Sequence, residues 1–276
     1  MTVIYADYIM NVPEQVRALL PEIIDKSINV NNRTAKKIKL GFNTSEDALT
    51  WTVFRHLQIS NGISALIESI TSNKSTGQCV VYYWGTPVTD EDMIITSKRK
   101  LLESVLLEIG ENDQKMSEPD IIIEDDETLI FLEIKFGSLN DSQDTSEKWK
   151  KYDNRRYFKE NIMNVPNLRE YQLVRNWCIG NMLAEKTGKK FKLINLVFSD
   201  KDTNDLAEFK DNLNQTEKSA FKRMNWRILL QDIAQTEESQ WLVSWLSTRK
   251  PKLIMSDLLT GKIHIKYNEN EKVEAR

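Results

Sequence analysis

Asp120, Glu133 and Lys135 border two short apolar runs, residues 121–123 and 129–132, with the acidic stretch 124–127 between them. Charges at the ends of apolar runs need a reason, because such runs are destined for burial. Two carboxylates that converge are hard oxygen ligands suited to Mg²⁺, which takes carboxylate, carbonyl and water oxygens. The Ile134 carbonyl, between Glu133 and Lys135, could complete the protein ligands. A cation held there supplies a strong nucleophile from water and absorbs charge on a phosphoryl oxygen. The Lys135 ammonium beside it would orient or deprotonate the attacking water, or stabilise a pentavalent phosphate. For the base role, a nearby metal and partial burial should lower its proton affinity.

This chemistry requires the carboxylates to meet. The two runs with a polar turn between them read as a β-hairpin. If Asp120 and Glu133 are cross-strand partners, the midpoint falls between Asp126 and Glu127, inside the polar stretch. Opposed residues on one face lie roughly 4.5–5.5 Å apart at Cβ. Glu133 and Lys135 are two apart and share a face. A register slip of one residue would turn Glu133 to the opposite side from Asp120.

Further elements frame the hairpin. Helical periodicity runs through Val16, Leu19, Leu20, Ile23 and Ile24, followed by a basic connector at residues 36–39. Thr44 or Ser45 caps a helix from Glu46 to about Leu57, broken at Asn61-Gly62. Residues 78–84 read as a strand, 85–87 as a loop and 96–109 as a helix. Residues 138–165 are polar. Residues 167–185 read as a helix ending near Gly188, and 191–198 as a strand. Beyond Asp205 the pattern is mainly helical, with Trp226, Trp241 and Trp245 as packing anchors, and the tail after Lys266 should fray. This order predicts an α/β protein with a mixed sheet flanked by helices. The expected organisation is an N-terminal helical extension (1–43), a core (44–204), a C-terminal helical region packed on it (205–266) and a tail (267–276).

Composition narrows the class. The chain has 276 residues, 40% hydrophobic and 29% charged, which fits a folded soluble domain. No apolar run nears the roughly 20 residues of a membrane helix, and the first residues lack a secretory pattern. The two cysteines, Cys79 and Cys178, form no CxxC and are expected as packed thiols. A cytoplasmic location is the default expectation. The net charge of −3 means that any nucleic-acid surface must be local. Phosphate loops, GxSxG and HExxH are missing from the sequence.

Pro119-Asp120 followed by Glu133-Ile134-Lys135 resembles the PD-(D/E)XK signature of the restriction-endonuclease-like nucleases. The resemblance covers roughly residues 44–200. It implies a core ordered helix, three-stranded meander, helix, strand, with residues 96–109 as an insertion. It implies a Mg²⁺-dependent nuclease (Mn²⁺ is the other metal option), with DNA as the expected substrate and RNA left open. Restriction, repair and defence are the settings it implies. A homodimer would allow double-strand cleavage, and a partner protein is the other arrangement. Asp120 and Glu133 would bind the metal with the Ile134 carbonyl, and Lys135 would act on water or phosphate.

Many members add a glutamate on the first core helix, and Glu46 is the candidate. It shares a face with Leu49, Val53 and Leu57; Asp47, about 100° round the helix, is the weaker choice. Some branches add a glutamine on the second helix, here Gln172, on a face with Leu168, Ile179 and Leu183. The plainer readings are a strand-end salt bridge, a helix-dipole carboxylate at Glu46 and a backbone-bonded glutamine.

Lys148, Lys150, Lys151, Arg155, Arg156 and Lys159 alternate with Trp149, Tyr152 and Tyr157. This stretch reads either as a nucleic-acid clamp, with cations on phosphates and aromatics on bases, or as an amphipathic element with core aromatics. Residues 98–100 read as a solvated face, and His56 and His264 as packing or surface residues. Two other classes remain beside the nuclease: a catalytically silent nucleic-acid-binding or scaffold module, and a carboxylate-pair glycosidase, which the neighbouring Lys135 fits poorly.

Overall fold

A computed structural model describes residues 11–42, 45–111, 119–135, 147–197, 206–226, 228–230 and 237–247. Helices α1 (Glu14–Arg17), α2 (Leu20–Ser27), α3 (Val30–Leu40), α4 (Glu46–Ile59) and α5 (Gly62–Thr71) lead into strands β1 (Val80–Tyr83) and β2 (Thr86–Thr89). Helix α6 (Thr96–Ile109) precedes the hairpin β3 (Ile121–Glu124) and β4 (Thr128–Ile134). A 3₁₀ turn (Glu147–Tyr152) precedes α7 (Tyr171–Thr187) and β5 (Lys190–Val197). Helix α8 (Ala207–Asn212), strand β6 (Ser219–Asn225) and α9 (Gln240–Ser247) follow.

The strands form one mixed sheet in the order β2-β1-β3-β4-β5-β6. Strands β2, β1, β3 and β4 are antiparallel neighbours, and β4, β5 and β6 run parallel. The chain is thus an α/β protein, as expected. Pleat parity sends Val81, Tyr83, Ile123, Ile130 and Leu132 to one side, onto α1, α2, α4 and α5. Val80, Tyr82, Ile122, Leu129 and Phe131 face the other side, onto α6 and α7. Both faces are covered, so the central strands read as unbroken apolar runs.

Ser45 caps α4 as expected: its Oγ accepts from the Ala48 N–H at 3.1 Å. The basic connector is instead the last part of α3, whose cap Asn29 accepts from the Asn31 N–H at 3.0 Å. After Asn61, at φ 58°, the chain does not leave the helical layer but starts α5. Of the expected loop at 85–87, Gly85 is in a turn while Thr86 and Pro87 start β2. Trp84 and Gly85 both take positive φ, 48° and 81°, which closes a two-residue hairpin between Tyr83 and Thr86. Helix α7 starts at Tyr171, after Asn167 at φ 58°. Beyond Asp205 the described residues are mainly helical, as expected, but strand β6 also extends the sheet beside β5. Trp226 and Trp245 are buried and Trp241 packs beside them. Cys79 and Cys178 are buried free thiols. Among the described residues, no helix is long and apolar enough to cross a membrane.

Candidate active site

The register of β3 and β4 pairs Ile121 with Leu132 and Glu124 with Leu129. One step further along the ladder, Asp120 comes opposite Glu133, on the face shared by Ile122 and Phe131. The arithmetic read from the sequence therefore holds. Asp120 sits just before β3, where its Oδ2 accepts from the Ile134 N–H at 2.9 Å. Its carbonyl accepts from the Trp84 N–H at 3.3 Å, which ties it to the β1–β2 turn. At the end of β4 the Lys135 N–H donates to the Leu196 carbonyl at 2.8 Å. The Trp226 indole N–H donates to the Lys135 carbonyl at 3.2 Å. One backbone bond to β5 and side-chain bonds from Asp120 and Trp226 thus hold the strand end that presents Glu133 and Lys135.

Glu133 is 1% exposed and makes one ion pair and one hydrogen bond to a neutral amide. Its Oε1 lies 2.7 Å from Lys135 Nζ, and its Oε2 accepts from Asn176 Nδ2 at 2.8 Å. Lys135 Nζ also donates to Gln172 Oε1 at 2.8 Å. Gln172, for which a backbone-bonded role was the plainer reading, therefore meets the candidate lysine. Gln172 and Asn176 are four apart on α7 and form one polar stripe toward the strand end. Asn176 was missed in the sequence; that spacing from Gln172 is the signal that could have found it. Asn195, opposite Glu133 on β5, donates to the Glu133 carbonyl at 3.3 Å.

Burial pushes the Asp120 carboxyl well above the usual carboxylate range. The Glu133 charge adds to this, while Lys135 and the Ile134 N–H oppose it and Asp47 adds a smaller push. Burial alone would lower the Lys135 proton affinity, but Glu133 and Asp120 outweigh it and the net direction is up. The expected lowering counted a neighbouring cation as well as burial; the two carboxylates by themselves hold the proton on the lysine more firmly than burial expels it.

The amino end of α4 arrives from the other side of the sheet. Glu46 is half-buried and its charge acts on Lys135. Asp47, the weaker choice from the sequence, also faces the site. Its charge acts on Asp120, and its Oδ1 pairs with Lys36 Nζ at 2.7 Å. Lys36 in turn lies 4.2 Å from the centre of the Trp84 ring. Helical phase separated Glu46 from Asp47, yet in the first turn both side chains splay round the helix end.

In the basic stretch, Trp149 and Tyr152 are fully buried, and Tyr157 and Phe158 nearly so. The aromatics are core, with the Trp149 ring 5.4 Å from that of Tyr171 and the Tyr152 hydroxyl donating to Glu111 at 2.8 Å. Lys150, Lys151, Arg155, Arg156 and Lys159 are exposed. Arg156 pairs with Glu185 at 3.0 Å. The stacking half of the clamp reading is excluded, while its cations remain on the surface. The Lys148 side chain and His264 lie outside the described residues. Lys98 is not a freely solvated charge, since it pairs with buried Glu124 at 2.5 Å. His56 is buried, as the packing reading expects, with Nε2 2.7 Å from Ser239 Oγ.

Comparison with protein-family models, with curated proteins and with solved structures finds no match. The geometry of the strand end is therefore the ground for a functional reading.

Proposed function

We propose that the protein is a divalent-metal-dependent nuclease that hydrolyses DNA phosphodiester bonds through Asp120, Glu133 and Lys135, on a restriction-endonuclease-like core. The observation that carries this reading is the convergence of the three side chains at one strand end. Asp120 and Glu133 occupy facing positions, and the Lys135 ammonium lies 2.7 Å from Glu133. The order α4, β1, β3, β4, α7, β5 supports it, being helix, meander, helix, strand, with β2 and α6 inserted in the meander.

The donor set fits Mg²⁺, with Mn²⁺ as the other candidate. Among the described residues no three His, Cys, Asp or Glu side chains gather closely enough to cage a metal. Mg²⁺ does not need such a cage, since it keeps several waters and uses one or two carboxylates. Burial and the Glu133 charge disfavour an ionised Asp120, and a cation between the two carboxylates would favour it. Asp120, Glu133 and the Ile134 carbonyl would hold the cation, which supplies Lewis acidity and an ionised water. Lys135 donates to Glu133 and Gln172, so it serves as a charged donor toward phosphate rather than as a base. Glu46 supports the ammonium or the attacking water from the end of α4, and Gln172 orients Lys135.

The test is cleavage of plasmid and single-stranded DNA, and of RNA, with and without Mg²⁺. The parent protein should cut only with metal, and Glu133→Ala and Lys135→Ala should each lose at least about two orders of magnitude in rate. Equal cutting by these variants would remove the residue assignment. The second reading, a silent binding module, draws on the closed Glu133–Lys135 ion pair. It requires nucleic-acid binding that is indifferent to Mg²⁺ and to both substitutions.

A further inference from the structure

We propose that Arg175 is a phosphate-binding residue of this site, gripping the phosphate next to the one that is cleaved. This inference rests on the nuclease reading above. Arg175 lies on α7 between Gln172 and the strand-end contacts of Asn176, and it is half-exposed. Its Nε donates to Asn176 Oδ1 at 3.2 Å, and Asn176 Nδ2 donates to Glu133 Oε2 at 2.8 Å. A chain of two hydrogen bonds therefore joins the guanidinium to the buried carboxylate. The guanidinium carbon also lies 6.0 Å from the Tyr171 ring centre, one helical turn back.

The cations around the site differ in what they already hold. Lys135 is committed to Glu133 and Gln172, and Lys36 to Asp47. Among the described residues Arg175 pairs with no carboxylate, and its only hydrogen bond is the one from Nε. Its two terminal amino groups are thus the donors left to meet an anion. A guanidinium fork oriented by one Nε bond and an aromatic neighbour suits two phosphate oxygens at once. The Asn176 amide stands between the guanidinium and Glu133, so Arg175 is one hydrogen-bonded group further from the carboxylates than Lys135. Lys135 meets the reacting phosphate and Arg175 a flanking one. Asn176 makes the two events communicate, since one amide holds both Glu133 and the arginine.

Two measurements on the full chain test this. The first is binding of a labelled oligonucleotide, duplex or single-stranded, by fluorescence anisotropy in EDTA across a salt series. Arg175→Met should reduce the slope of log K against log salt by about 0.9 for duplex or about 0.7 for a single strand. Arg175→Lys should keep the slope, because it keeps the charge. The second is steady-state cleavage with Mg²⁺. Arg175→Met should raise KM about tenfold, with kcat within about twofold of the parent, and Arg175→Lys should recover only part of that loss because it lacks the fork. An unchanged slope with unchanged KM in a parent that cleaves overturns the Arg175 contact alone. A fall in kcat at constant KM also overturns it, because the arginine would then act only by holding Asn176. A parent that binds with the arginine-dependent slope yet never cleaves overturns the nuclease reading and leaves the contact standing. A parent that binds no nucleic acid overturns both.

Discussion

Replacing Lys135 by Met removes the ammonium 2.7 Å from Glu133 and leaves a carboxylate that is 1% exposed. Breaking a buried ion pair from one side costs about 3–5 kcal/mol, mainly because the remaining charge has no water and no partner. Two features put this site at the lower end. Asn176 still donates to Glu133 Oε2, and Asp120 already holds its proton more firmly than an ordinary carboxylate, so it can stay neutral and spare the pair a second charge. About 3 kcal/mol is therefore expected. With a urea m-value of about 3 kcal/mol/M, at the upper end for small domains, the unfolding midpoint should fall by about 1 M at unchanged m. The double variant Lys135→Met/Glu133→Gln removes both charges and should recover about 1.5 kcal/mol or more, a coupling in the range found for contacting residues. Mg²⁺ at about 100 times its Kd should add about 2.7 kcal/mol to any form that binds it, and Lys135→Met should gain more than the parent, since no ammonium competes. If the single and double variants unfold at the same midpoint, Glu133 does not depend on Lys135 and the electrostatic account is wrong.

Asn176→Ala removes a fully buried amide that bonds a carboxylate; it should cost about 1.5–3 kcal/mol in urea unfolding and lower the cleavage rate with it, and an unperturbed rate would show that Glu133 needs no such support. Burial holds His56 below the ordinary imidazole value against the pull of Glu238. The unfolded chain then binds the proton first, so stability is fully present above pH of about 6.5 and is lost as pH falls from there through the lowered value of the folded state. His56→Gln should flatten the loss of thermal midpoint between pH 7.5 and pH 5, and an unchanged slope would remove His56 as its source. Glu46→Gln should lower the Mg²⁺-dependent rate more than Asp47→Asn, because Glu46 acts on Lys135 whereas Asp47 is paired with Lys36; the opposite ranking would make Asp47 the helix-end carboxylate of the site.

The hairpin was legible because two short apolar runs flank a polar turn, and the centre of that turn, rather than any alternation, sets the register. Asp120, Glu133 and Lys135 follow from that register alone. Glu46 was legible from the Ser45 cap and the apolar face of α4. What sequence patterns could not carry depends on tertiary contact. Asn176 lies among the apolar residues of α7 and gains meaning only once Glu133 packs against it. Asp47 enters the site because side chains at a helix end splay beyond their helical phase. The segment ending in Lys36 and Lys37 looked like a connector, since its polar side chains hide the helix that brings Lys36 to Asp47 and Trp84. Strand β6 was missed because its alternation is weak, with Lys222 exposed on an edge strand. For Lys135 the expectation weighed burial and an assumed metal, and omitted the two carboxylates that the register itself had placed beside it.

The position of the site follows from the change of strand direction at β4. To one side β3 runs antiparallel, so its amino end, with Asp120, meets the carboxyl end of β4. To the other side β5 runs parallel and offers Asn195 and the Leu196 carbonyl at the same level. The antiparallel pair lets the residue that opens β3 face those that close β4, and the parallel neighbour adds its own carboxyl end at the same level. Helix α7 covers this corner from one face of the sheet, with Gln172, Arg175 and Asn176, while α4 points its amino end at it from the other. The helix dipole of α4 carries partial positive charge at that end. It steadies Glu46 and Asp47 there, beside Asp120 and Glu133, with Lys135 paired to Glu133 and Lys36 to Asp47. A polyanionic substrate approaching such a corner needs a cation that the protein has not already neutralised. On the proposed reading Mg²⁺ would supply one at the carboxylates, and Arg175 the other beside them.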